Sequence, residues 1–117
     1  MLTDLGRLLR KIRIDHSEIL KNMADHFGVT SSYLSAVENG KRPIPEAWEA
    51  IILSIYHLDE NQEAELRRAV VKSLENIKLN VSDVNYAHKE VAFTFARQIA
   101  ELSDEKLYAI KKILGGE

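Results

Sequence analysis

Apolar residues recur along this chain at intervals of three and four almost from end to end, the period of helices with one buried face. Leu5, Leu8, Leu9 and Ile12 form a first stripe and predict a helix over residues 3–14. Leu20, Met23, Ala24 and Phe27 form a second, short one, closed by Gly28, which is free to take positive φ. Thr30 reads as the N-cap of a third helix (30–39) that turns Leu34 and Val37 inward and stops at Asn39-Gly40. Pro45 is expected in the first turn of a fourth helix, with Glu46 near its positive end and Trp48, Ile51, Ile52 and Ile55 on its buried face. Asp59 followed three residues later by Gln62 predicts a capping box and a fifth helix, whose stripe continues through Leu66, Ala69, Val70, Leu74 and Ile77.

The pattern changes after Ile77. Ile77, Leu79 and Val81 alternate, which predicts a short extended segment. A sixth helix is expected over 86–102, with Val91, Phe95, Ile99 and Leu102 on one face and Ala92, Phe93, Ala96 and Ala100 widening the apolar surface. Ser103, Asp104 and Glu105 open a seventh helix that carries Leu107, Ile110, Ile113 and Leu114 and stops at Gly115-Gly116. The expectation is an all-α chain with its seam at 77–85, a first domain over 1–77 and a second helical segment over 78–117.

Composition narrows the function classes. Of 117 residues 45% are hydrophobic, enough for a packed core. The absence of cysteine excludes disulfides, thiolate metal sites and cysteine nucleophiles, and suits a reducing cytoplasm. No apolar run approaches the roughly 20 residues that span a bilayer, and the charges of "MLTDLGRLLRKIR" lie among its apolar residues, unlike a secretory signal. A cytoplasmic protein without membrane contact is expected. There is no glycine-rich phosphate loop and no HExxH pair. His16, His26, His57 and His88 stand at no metal-ligand spacing and read as surface or cap histidines, so neither catalysis, metal nor cofactor is expected. Net charge is −2 but uneven. Residues 1–45 hold seven bases against five acids, whereas 46–117 hold nine against thirteen. A basic first half is a hint of a polyanion partner.

The stretch "MADHFGVTSSYLSAVENGKRPIP" carries something more specific. A helix built only to fill a core would expose Glu and Lys; the one beginning after Thr30 exposes serine and alanine and leaves through Asn-Gly-Lys-Arg. Ala24, Gly28, Val29, Tyr33, Leu34, Ser35, Val37, Glu38, Asn39, Gly40, Lys41 and Arg42, at this spacing, resemble the helix-turn-helix of the XRE/Cro/lambda-type phage repressors, over about residues 3–58. The resemblance implies a five-helix lambda-repressor-like domain with its third helix in a DNA major groove. It implies base reading by Ser31, Ser32, Ser35 and Ala36, whose small size lets the helix sit deep. Thr30, Asn39, Lys41 and Arg42 are then phosphate contacts, and Tyr33 is either a packing residue or a phosphate hydroxyl donor. The family opens its second helix with Ser/Thr-Gln, where this chain has Ile19-Leu20. That departure moves the expected helix cap to Ser17 and passes the backbone contact to Lys21 or Asn22. The family's arginine in helix 1 and glutamate in helix 3 fall on Arg13 and Glu38, which implies a partly buried salt bridge between them.

Helix-turn-helix monomers hold one half-site weakly, so a homodimer on a near-palindromic double-stranded operator is expected. Ala92, Phe93, Phe95, Ala96, Ile99, Leu107, Ile110 and Leu114 are assigned to its two-fold interface. The competing arrangement folds helices 6 and 7 back as core and dimerises through helix 5. The function expected is a transcriptional regulator, most simply a repressor of bacterial, phage or prophage origin. The rival is an antitoxin that binds a toxin or other protein antagonist and its own promoter.

Overall fold

Among the described residues of the computed structural model, Met1–Gly115, the chain is all-α, with seven α-helices and no strand. They are α1 (Asp4–Asp15), α2 (Leu20–Phe27), α3 (Ser31–Glu38), α4 (Trp48–Tyr56), α5 (Glu60–Ser73), α6 (Tyr86–Gln98) and α7 (Asp104–Ile113), with a 3-10 turn at Ile99–Glu101. No helix among them is long and apolar enough to cross a membrane. The chain divides into two compact units, Met1–Ile77 and a second that begins at Lys78.

Among the described residues every buried apolar side chain lies in the first unit. Leu5, Leu8, Leu9 and Ile12 of α1 meet Met23, Ala24 and Phe27 of α2, Leu34 and Val37 of α3, Trp48, Ile52 and Tyr56 of α4, and Leu66 of α5. α1 lies against α2, α3 and α5, α2 against α3 and α4, and α4 against α5. Each of the five stripes read within residues 1–77 therefore has a buried part, whereas those read on α6 and α7 have none. Burial of Leu9, Met23, Leu34, Ile52 and Leu66 is essentially complete, and truncating such a side chain to alanine costs about 2–5 kcal/mol.

Caps set the helix ends. Thr3 caps α1, its hydroxyl accepting from the Gly6 N–H at 3.0 Å. Thr30 caps α3 by accepting from the Tyr33 N–H at 3.1 Å. Asp59 and Gln62 make the reciprocal bonds of a capping box on α5, at 2.8 and 2.9 Å. Gly28 takes φ 69° at the end of α2, a left-handed conformation that any side chain would strain.

Several boundaries differ from expectation. The cap of α2 is not Ser17, which sits in the preceding turn at φ 57°. It is Ile19, which has no polar side chain, so only half a box forms: Asn22 reaches back and its Oδ1 accepts from the Ile19 N–H at 2.9 Å. Pro45 precedes α4 rather than opening it; its carbonyl accepts from the Trp48 N–H at 3.1 Å in a separate turn. Pro43 and Pro45 keep the residue before each of them out of helical geometry, which delays the start. α5 ends at Ser73, whose hydroxyl satisfies the Val70 carbonyl at 2.7 Å, so Leu74 and Ile77 leave the stripe and are exposed. Residues 77–81 are irregular, not a strand, and without a neighbouring strand their alternation has nothing to pair with. The helix expected over 86–102 tightens into the 3-10 turn at Ile99. Of the two glycines expected to stop α7, Gly115 follows at φ 87°, while Gly116 lies outside the described residues.

Two contacts lock the first unit together. At Gly6, in the first turn of α1, an added Cβ would fall 2.1 Å from the Glu38 carbonyl oxygen and 2.8 Å from its carbon. The start of α1 and the end of α3 thus touch backbone to backbone, and the Thr3 N–H donates to that same carbonyl at 3.0 Å. The second contact ties the α1–α2 turn to α4. The Tyr56 hydroxyl donates to Glu18 Oε1 at 2.6 Å, and His26 Nε2 lies 2.8 Å from Glu18 Oε2. The His16 ring stands edge-on to Tyr56, with its nitrogens 2.9 Å from the Ile12 carbonyl and 3.2 Å from that of Tyr56.

Gly6→Ala should destabilise the protein, although alanine is the better helix former by about 1 kcal/mol. The clashing atom is backbone, so the helices must separate at a cost of roughly 1–3 kcal/mol or more; a raised melting temperature would contradict the close approach. Burial pushes the Glu18 carboxyl up, but the hydrogen bonds from Tyr56 and His26 outweigh it and hold the group below its ordinary value of 4.5. A carboxyl depressed in the folded state contributes stability that is present above its unfolded pKa and disappears as pH falls through the folded one. The gap in melting temperature between the native chain and Glu18→Gln should therefore close as pH is lowered from neutral through the carboxylate range.

Candidate nucleic-acid interface

The orientation of α3 follows from three buried side chains. Leu34, Val37 and Glu38 point into the first unit. At 100° per residue the opposite side is centred on Ser32 and Ala36, with Ser35 and Ser31 on one flank and Tyr33 on the other. Ser32 is exposed; Ser31, Ser35, Ala36 and Tyr33 are half-buried. The outward face of α3 thus carries no side chain longer than serine along its centre. The hydroxyl of Thr30 already accepts from the Tyr33 N–H, which leaves its own proton to donate outward.

Lys41 and Arg42 leave the end of α3 exposed, and the structure gives Arg42 a fixed place. Its guanidinium lies 4.7 Å above the Tyr33 ring. Tyr33 tilts against Trp48 at 6.0 Å between centroids, and Trp48 stacks flat on Phe27 at 4.0 Å. Four side chains from α2, α3, the exit loop and α4 thereby form one column with a cation on its outer end. Packing is thus one role of Tyr33, and it orients a charge. Nothing in the spacing of Tyr33 and Arg42 discloses the column. Trp48 at the start of α4 and Phe27 at the end of α2 were the available signal, since only a tertiary contact brings them together.

Other residues named from sequence have work inside the protein. Lys21 pairs with Asp25 at 3.1 Å on the surface of α2, and Asn22 caps that helix. Asn39 donates its side-chain amide to the Ser35 carbonyl at 2.8 Å and so closes α3. Arg7 is paired with Asp4, which also binds Lys72 at 2.6 Å. Those bonds, with Lys72 first, hold the Asp4 carboxyl below its ordinary range. Among the described residues Arg10, Lys11, Lys41 and Arg42 carry no ion pair, and no group of acids and histidines is placed to hold a metal.

Arg13 and Glu38 are brought together in the interior. They form a salt bridge with both side chains more than nine-tenths buried, and a second bond runs from Arg13 Nη2 to Glu38 Oε1 at 3.4 Å. Arg13 Nη1 also points at the Met23 sulfur, at 3.6 Å. The pair fastens the last turn of α1 to the last turn of α3, one residue before the exit loop.

The residues assigned to an interface on the second unit are placed differently from one another. Ala92 and Ile110 are half-buried, while Phe93, Phe95, Ala96, Ile99, Leu107 and Leu114 are exposed. Phe93 lies about a quarter-turn or more from the side of α6 shared by Ala92, Phe95 and Ile99, and its ring is covered by Arg97 at 5.5 Å.

Glu38→Ala strands a buried guanidinium and should cost about 3–5 kcal/mol, read as a fall in the urea midpoint. Replacing both partners, Arg13→Met with Glu38→Leu, should recover most of that loss. If the single change leaves the midpoint where it was, the charge is not confined as the geometry implies.

Comparison with known protein families, with curated proteins and with solved structures found no match to this chain.

Proposed function

We propose that this chain is a sequence-specific DNA-binding transcriptional regulator, acting as a repressor, whose first unit has the lambda-repressor-like helix-turn-helix arrangement. In this reading α2, the Gly28 turn and α3 are the motif, and α3 enters the major groove. The observation that carries it is the outward face of α3: serine and alanine along its centre, next to two cations, Lys41 and Arg42, that make no ion pair among the described residues. A surface helix with no ligand has no need of such a face. A helix laid in a groove does, because small side chains let its axis approach the base edges and serine can donate to them or accept from them. Lys41 and Arg42 then meet phosphate, with Arg42 held toward it by the aromatic column.

The division of labour has a consequence for specificity. With no long side chain to make bidentate base contacts, discrimination per base pair is modest, and part of it comes from DNA shape. Lys21, Asn22 and Asn39, engaged internally, contribute less to the backbone than Lys41 and Arg42.

Selection of bound duplexes from a random pool tests the reading and should enrich a near-palindrome. Ser32→Ala should relax preference at one or two positions by at most roughly 1–3 kcal/mol. Lys41→Ala with Arg42→Ala should weaken all sequences alike and reduce the slope of log affinity against log salt by about 1.8. A pool with no enriched sequence, or a lysine–arginine variant that changes base preference instead, overturns it.

A further inference from the structure

The second unit has well-specified helices and no interior. Asn85 caps α6 by accepting from the His88 N–H at 3.1 Å, and Ser103 caps α7 by accepting from that of Lys106 at 3.2 Å. Yet no described residue from Lys78 onward is buried. There is no cysteine in the chain, and no metal cluster among the described residues, to replace a core. A segment of this size needs such a device or a partner chain, and a ten-residue helix such as α7 is marginal alone, below the roughly 12–15 residues isolated helices need. From Tyr86 to Leu114 nine large apolar and aromatic side chains are 37–83% exposed, and Leu102 and Ile110 are half-buried. Together they leave on the order of 1,000 Å² of surface uncovered, against about 800 Å² per partner in a standard interface.

We infer that this surface is covered by the same helices of a second copy of the chain, with the two α7 helices packed antiparallel across a two-fold axis. The charges argue for self-association. Residues 78–117 carry six bases and six acids, so two copies do not repel. Leu107 and Ile110 of α7 and Leu114 at its C-cap follow the spacing of a helical seam. Asp104 and Lys111 stand seven residues apart, hence at the same position flanking that seam, one in the first turn and one in the last. In an antiparallel pair like positions face each other across the seam, so Asp104 of each copy meets Lys111 of the other. A parallel pair would instead bring opposite flanks of the seam together and set Lys106 of one copy against Lys111 of the other, cation against cation. Isologous two-fold contacts of this kind are the commonest in homo-oligomers.

The inference supplies the second half-site of the operator reading and rests on that reading for its use, but the association itself is measured without DNA. Sedimentation equilibrium of the full chain at low salt should give a dimer. Asp104→Lys and Lys111→Asp should each weaken it by about tenfold, and the two together should restore it. Both positions are exposed, so the melting of the first unit should not move and serves as the folding control. The chain ending at Ile77, which keeps the whole buried core, should be folded and monomeric. A monomeric full chain, a double variant no tighter than the single ones, or a dimer that survives truncation at Ile77 would each overturn the assignment. A charge-reversible dimer that binds no DNA would sink the operator reading and leave this one standing.

Discussion

The contact between the start of α1 and the end of α3 is the constraint on which the first unit turns. Gly6 leaves no room for a side chain against the Glu38 carbonyl, and the Glu38 carboxylate reaches the far end of the same helix at Arg13. One residue thus touches α1 at two levels, with backbone near the first turn and side chain near the last. Two contact points on a rod fix its inclination as well as its distance. The outward face of α3 is therefore aimed from behind, by groups that no ligand would ever touch. A buried ion pair is weak evidence for stability, since apolar residues of the same volume often do as well. Its value here is directional: a carboxylate and a guanidinium meet in one geometry, whereas a leucine would accept several.

The second support of α3 comes from its other side. Phe27, Trp48, Tyr33 and Arg42 stack outward from α2 and α4 to the exit loop. Glu18, His26 and Tyr56 tie α2 to α4 below them. The small-residue face of α3 is thus backed by large aromatic side chains, one of them the helix's own Tyr33. In the DNA-binding reading this is an economical division. Residues that face the groove carry little conformational entropy to lose, and the residues that position them have been ordered by folding already.

How far the sequence disclosed this depends on the range of each interaction. Caps are local, and Thr30, Asp59 and Ser103 could be read because donor and acceptor are three residues apart. Buried stripes are nearly local, and Leu9, Leu34 and Ile52 were legible from periodicity. The α2 cap was not, because the residue at that position is isoleucine and the bond comes back from Asn22 instead. The end of α5 was misread because apolar residues continue in phase after Ser73 while the backbone does not. Gly6 carried no signal: a lone glycine in a helical pattern reads as a mild weakness until the helix that presses on it is known. Arg13 with Glu38 is the instructive case. Nothing in periodicity pairs residues twenty-five apart; only the likeness to a repressor motif suggested the partner.

The second unit inverts the usual relation between pattern and burial. Its helices are capped and periodic, yet the residues that ought to be inside are outside. A soluble monomer rarely leaves so much apolar surface open. Such an unfavourable state persists where association relieves it. Placing that requirement outside the first unit separates two demands that otherwise conflict. In the DNA-binding reading the surface of α3 must stay small, polar and uncovered, whereas a surface that holds two chains together must be large, apolar and covered. A single domain of this size would have to fit both onto one modest perimeter. On the proposed reading, the division of the chain at residue 77 lets the core of the first unit serve to aim α3, and leaves the apolar residues beyond it free for a second copy.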